Sequence, residues 1–215
     1  CSSDLTQLED FTLSANVFKK NIDFFKKLDI KPKRLNLYIS ASRKQDDPEL
    51  RASLEFLQKQ TQLETLRLNM ANIKQESLYT IKNILLSMKL LKNLRFHSHG
   101  WTDLPEEGVL IFTDVFSKLP LEELDLNISS RKFKDPEMKG IINDFRKIKK
   151  LKSFRYQGKF NLIGNEVFED LIEFVRTRDP RKFYEINIVP ENYHRKNLRD
   201  LHQALQKFQG LSSDD

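Results

Sequence analysis

The chain has 215 residues with 37 Lys and Arg against 31 Asp and Glu, a net charge of +6. Charged residues make up 32% and hydrophobic ones 39%, with 16 Phe and five Tyr, which is too apolar and too aromatic for a disordered chain. A single Cys excludes a disulfide scaffold or a cysteine zinc site, and the most apolar run, Ile81 to Leu94, is broken by Lys82, Lys89 and Lys92, so it is no membrane span.

Taken in order, the chain opens on Cys1 in place of Met, which reads as the start of a processed or excised piece whose targeting signal lies out of view. Cys1-Ser2-Ser3 also looks like the mature start of a lipid-anchored bacterial lipoprotein, though a fragment boundary is the preferred reading. The first strand pattern is Leu8-Phe11-Leu13, followed by Asn16 as a helix cap, and the second is Pro32-Leu35-Leu37. Asp47-Pro48-Glu49 then offers an N-cap, a proline at the first helical position and an acid facing the helix dipole. Leu63-Leu66-Leu68 is a third strand, and beyond Asn72, a second candidate cap, Leu78, Ile81, Leu85 and Met88 fall on one helical face. The same alternation continues with Leu91-Leu94-Phe96 and a helical face of Val109, Phe112, Phe116 and Leu119. Leu121-Leu124-Leu126 precedes a second cap, Asp135-Pro136-Glu137, and the face Met138, Ile141, Phe145 and Ile148. Leu151-Phe154-Tyr156 precedes Asn165 and the face Phe168, Leu171, Ile172 and Val175. Phe183-Ile186-Ile188 is the last strand pattern, Leu198, Leu201, Leu205 and Phe208 form a final amphipathic helix ended by Gly210, and Ser212 to Asp215 is a solvated tail.

The strand motif reads LxxLxL, and its central residues stand at 11, 35, 66, 94, 124, 154 and 186, a period near thirty residues. Strands alternating with helices must run parallel, with right-handed connections. The predicted fold is therefore α/β, a right-handed βα solenoid with a parallel concave sheet of about seven strands and convex helices. It forms a single domain over 1–215, with repeats beginning near 8, 32, 63, 91, 121, 151 and 183 and a C-terminal capping helix over 196–209.

This pattern resembles the leucine-rich repeat superfamily, in particular its ribonuclease-inhibitor-like subclass. The consensus continues LxxLxLxxN, and here the Asn appears only at Asn16; Ser40, Ala71, His99, Ser129, Lys159 and Glu191 occupy the other copies, which makes the repeats irregular. The resemblance implies a non-catalytic protein-protein interaction or scaffold module that binds on its concave sheet. One class of the family activates small GTPases through a loop arginine, and no residue here maps onto it.

With the LxL side chains pointing inward, the alternate positions face the concave side. This makes Arg34, Asn36, Tyr38, Arg67, Asn69, Arg95, His97, Asp125, Asn127, Arg155 and Gln157 the candidate partner-binding residues. Arg34, Arg67 and Arg95 on neighbouring strands suit an acidic segment of a protein partner, because guanidinium forks match carboxylates and phosphates. Ordinary solvated strand positions are the competing reading. The concave rows hold four charges of each sign, so the surplus is expected in convex helices and loops, in runs such as Arg131-Lys132-Lys134 and Arg146-Lys147-Lys149-Lys150-Lys152. A basic convex surface binding nucleic acid or another polyanion is the alternative function. A regulatory or targeting domain of a larger protein, with its catalytic domain ahead of Cys1, is another.

Chemistry finds little support. His97-Ser98-His99 places two imidazoles on one strand face and would need Asp125 as a further metal ligand, and metal is not expected. No GxSxG, Walker or GxGxxG motif is present, so neither catalysis nor a cofactor is expected. Asn127-Ile128-Ser129 is a glycosylation sequon, meaningful only in a secreted chain. The protein is expected to be intracellular, and monomeric or part of a larger complex.

Overall fold

The structure is a computed structural model that describes residues 9–14, 29–40, 47–71, 73, 75–99, 114–128, 135–159, 165–179, 182, 185–191 and 195–209. Seven strands, β1 (Asp10–Ser14), β2 (Arg34–Ser40), β3 (Thr65–Ala71), β4 (Asn93–His99), β5 (Glu123–Ile128), β6 (Ser153–Lys159) and β7 (Glu185–Glu191), form one sheet. All pairings are parallel and the strand order follows the chain, so the sheet is open, with β1 and β7 at its edges. Five helices are described: α1 (Pro48–Gln58), α2 (Gln75–Ser87), α3 (Asp135–Lys147), α4 (Asn165–Arg176) and α5 (Arg195–Gln209).

The register places the motif centres in a single row across the sheet, Phe11, Leu35, Leu66, Leu94, Leu124, Phe154 and Ile186, each opposite the next. Burial alternates along the strands, with Leu35, Leu37 and Ile39 buried in β2 and Leu66, Leu68 and Met70 buried in β3, while the residues between them face out. Only one face of the sheet is therefore covered, and the helices supply the cover. Leu78, Ile81, Leu85 and Met88 are fully buried, as are the predicted faces of α3 and α4. Towards the C-terminal half the core becomes aromatic, with Phe145 and Phe154 rings 4.8 Å apart and Phe154 and Phe174 5.3 Å apart, edge to face.

Local chemistry sets the helix ends. Asp47 Oδ1 accepts from the backbone N–H groups of Glu49 (3.1 Å) and Leu50 (3.0 Å), satisfying two of the donors that α1 leaves open behind Pro48. Helix α3 starts at Asp135, where the second such signal lies. The final helix starts at Arg195, one residue before its expected boundary. Between β4 and β5 the described chain holds a single 3-10 turn, Phe116–Lys118, instead of a helix running through Leu119. The reason is Pro120, which disfavours helical geometry in the residue before it, and Leu119 is extended (φ −98°, ψ 148°). Asp114 ahead of this turn sits at φ 62°, the left-handed region that Asp tolerates better than most residues. Buried Asp144 of α3 reaches back to this turn and accepts from Phe116 N–H (2.9 Å) and Ser117 N–H (3.3 Å). Burial raises the Asp144 carboxyl above its ordinary range, against the pull of the Ser117 and Phe116 hydrogen bonds.

The expected caps Asn16 and Asn72, the positions Val109 and Phe112, the runs at Arg131 to Lys134 and at Cys1, Ser129, Gly210 and the polar tail lie outside the described residues. No helix among the described residues is long and apolar enough to cross a membrane.

Candidate functional site

The site is the uncovered face of the sheet, and parallel pairing in register converts strand positions into rows across it. One row is Asp10, Arg34, Thr65, Asn93, Glu123 and Ser153. The next is Thr12, Asn36, Arg67, Arg95, Asp125 and Arg155, and the third runs from Tyr38 through Asn69, His97 and Asn127 to Gln157. All eleven sequence-derived candidates thus stand on this face, exposed or half-buried, and the register brings them into three adjacent rows.

Their mutual contacts are uneven. Arg67 lies directly opposite Arg95, while Arg34 lies opposite Thr65 and so is diagonal to Arg67. Arg34 turns away to Asp10, its Nη1 3.2 Å from Oδ2 in an exposed pair. Arg95 Nε donates to Asp125 Oδ2 at 2.7 Å, and His97 Nε2 lies 3.2 Å from Asp125 Oδ1. An ionised carboxylate only accepts, so this bond requires the proton on Nε2. Arg155 stands opposite Asp125 on the other side. Burial pushes the Asp125 carboxyl up, but the His97 hydrogen bond and charge, with Arg95 and Arg155, outweigh it and hold the group below its ordinary range. In the third row Asn127 Nδ2 donates to Gln157 Oε1 at 3.2 Å.

The guanidinium cluster expected from Arg34, Arg67 and Arg95 is therefore divided. Arg34 and Arg95 have acidic partners, and Arg67, exposed, has none among the described residues. A shallow cleft of about 270 Å3 opens here, with Arg34, Arg67, Arg95 and Arg155 on its wall together with the acids Glu123 and Asp125. The central row as described contains three arginines and one aspartate. Ser98, between His97 and His99, is buried on the core face, and its Oγ has no partner among the described residues. No cluster of three metal-ligating groups occurs among the described residues.

A fourth row escaped the sequence reading. Glu9, Lys33, Glu64, Lys92, Glu122 and Lys152 occupy the position just before strands β1 to β6 and alternate in sign along them. They pair two by two, Lys33 with Glu9 at 3.6 Å, Lys92 with Glu64 at 3.0 Å and Lys152 with Glu122 at 2.7 Å. Their backbones are linked as well: Glu64 N–H donates to Lys33 O, Lys92 N–H to Glu64 O, Glu122 N–H to Lys92 O and Lys152 N–H to Glu122 O. The strict alternation, one residue ahead of the arginine-bearing rows, was the available signal.

The basic surplus is not on the described helices, which hold eleven acidic against ten basic residues. It sits in the described segments that lead into strands β2 to β7, a group of eleven Lys and Arg against five Asp and Glu. Those turns all reach the sheet at the strand N-terminal edge, because every strand points the same way.

Neither a protein-family model nor a curated protein matches the chain. Sixteen chains among solved structures do match. One of them is the tropomodulin C-terminal domain from the structural genomics of Caenorhabditis elegans, which is 12% identical to this chain over 89% of its length and 93% of that chain, with a TM-score of 0.38.

Proposed function

We propose that the protein is an irregular leucine-rich-repeat horseshoe that acts as a non-catalytic interaction module, holding an acidic segment of a protein partner on the open face of its sheet. The observation that carries this reading is the pairing of Arg67 directly opposite Arg95 without a carboxylate of its own among the described residues. Like charges opposite one another destabilise a sheet, and an incoming carboxylate relieves that cost while gaining a bidentate hydrogen bond. Asp125 supports the arrangement by anchoring Arg95, so its guanidinium is already ordered when the ligand arrives. Tyr38, 43% exposed at the edge of the same face, adds an amphipathic contact of the kind that anchors peptides.

Arg67→Glu is the discriminating variant, because Arg67 is exposed and its reversal breaks no described ion pair. In fluorescence anisotropy with a short glutamate-rich peptide, it should weaken binding by about tenfold or more, with a melting temperature no lower than the parent's, since Glu opposite Arg95 removes the like-charge contact, and no gain of affinity for a neutral peptide. Equal affinity of the variant and the parent for the acidic peptide would overturn the reading.

A further inference from the structure

Most lysines of the segments that lead into the strands fall into two groups. In the row next to the strands, Lys33, Lys92 and Lys152 are neutralised by Glu9, Glu64 and Glu122. Further out, Lys31, Lys89, Lys118, Lys149, Lys150 and Lys182 are all exposed and form no ion pair among the described residues. They come from five separate turns, brought to one rim by the parallel strand order. At the turn before β4, Leu90 stands beside Lys89 with 54% of its surface exposed, the most open of the large apolar residues described.

From this arrangement we propose that the rim of helix-to-strand turns is a docking surface for anionic lipid bilayers, with the lysines over the headgroups and Leu90 reaching the acyl boundary. The chemistry of the rim separates this ligand from nucleic acid. Its described turns expose no Phe, Tyr or Trp on which a base would stack, because Phe116, the aromatic residue they hold, is buried. Their one arginine, Arg178, is spent internally: it lies 4.5 Å over the Phe174 ring and donates to Phe145 O at 2.9 Å. Among the described turns no guanidinium fork is left for base edges or phosphates. What remains is an excess of compact ammonium charges over the acids of the same turns, Asp29 and Asp179 among them, which a diffuse negative surface potential attracts without any defined geometry. An exposed leucine among them adds the apolar component that a bilayer accepts and a polyanion in water does not.

The test is co-sedimentation with vesicles of phosphatidylcholine alone and with phosphatidylserine added, at low and high salt. The protein should bind only the phosphatidylserine vesicles, and added salt should release it. Lys149→Glu with Lys150→Glu should lower partitioning by about tenfold or more, since each lysine near such a surface counts separately. Leu90→Ser should lower it by about threefold or more without changing the salt dependence. Arg67→Glu, on the open sheet face, should leave vesicle binding unchanged, so this rim and the peptide site fail or succeed independently. If the doubly reversed protein does not fold, Lys89→Glu with Lys118→Glu, on two other turns, makes the same test. Equal binding to both vesicle types, full binding by a folded rim variant, or preferential retention on single-stranded RNA lost in the rim variants would each overturn the proposal.

Discussion

Asp125 concentrates the electrostatics of the open face, because it is the one carboxylate in a described row that otherwise holds Arg67, Arg95 and Arg155. Its folded-state pKa lies below the ordinary value of 3.8. The unfolded chain therefore binds a proton more readily than the folded one, and folding gains stability from this group above pH 3.8, a gain lost as the pH falls through the lower folded value. Asp125→Asn should accordingly cost about 1–2 kcal/mol near neutral pH, where it weakens two charge-assisted hydrogen bonds. The difference between the two proteins in urea unfolding should shrink once the solution is more acidic than the folded carboxyl. A constant difference at all pH values would show that the ionisation of this side chain contributes nothing to stability. The chain's residue pattern located Asp125 and its neighbours because period-two alternation determines which strand positions face out. Its particular partners were not legible. Whether Arg95 turns to Asp125 or towards Arg67 depends on side-chain reach across strands, and no one-dimensional pattern carries that.

At the scale of elements, Asp144 illustrates a feature that sequence conceals. It lies in the run Ile141, Ile142, Asn143, Asp144, Phe145, where helical periodicity gives an acid no reason to be buried. Its carboxylate replaces the missing helix partners of the Phe116–Lys118 turn, which has no side-chain cap of its own. Asp144→Ala should cost about 2–3 kcal/mol by leaving buried backbone donors unpaired. Asp144→Asn should be milder, since the amide oxygen still accepts one of them and no charge is buried. Thermal melting of the two variants distinguishes this from simple loss of packing, which would leave the nearly isosteric Asp144→Asn melting like the parent. The pH dependence has the opposite sign to that of Asp125. A raised carboxyl loses stability as the pH rises from 3.8 through its folded value, so the Asp144→Asn protein should gain on the parent over that interval. One departure from the repeat motif also finds its explanation here. Leu151-Phe154-Tyr156 departs from LxxLxL because its core is built from the Phe116, Phe145, Phe154 and Phe174 rings, and a larger ring replaces a leucine where the facing helix brings another ring. The motif was legible as apolar periodicity even where its letters differ.

Across the whole molecule, the sheet is a linear series in which each inner strand pairs with one strand on either side and the edge strands with one. Helix packing follows the same order, α3 on α4 and α4 on α5. Stability in such a series is a sum of local terms and neighbour interfaces, so its loss should spread from a defect outward. Leu94→Ala, in central β4 with Leu66 and Leu124 opposite it, should cost about 3 kcal/mol and lower amide protection on both flanks, in β3 and β5. Leu13→Ala, in β1 with a single neighbour, should lower protection in β1 and β2 and leave β5 to β7 as in the parent. Native-state hydrogen exchange reads both, and the parent itself should be most protected in β3 to β5 and least in β1 and β7. A uniform fall across all seven strands for either substitution would show one cooperative unit, in which the repeats open only together.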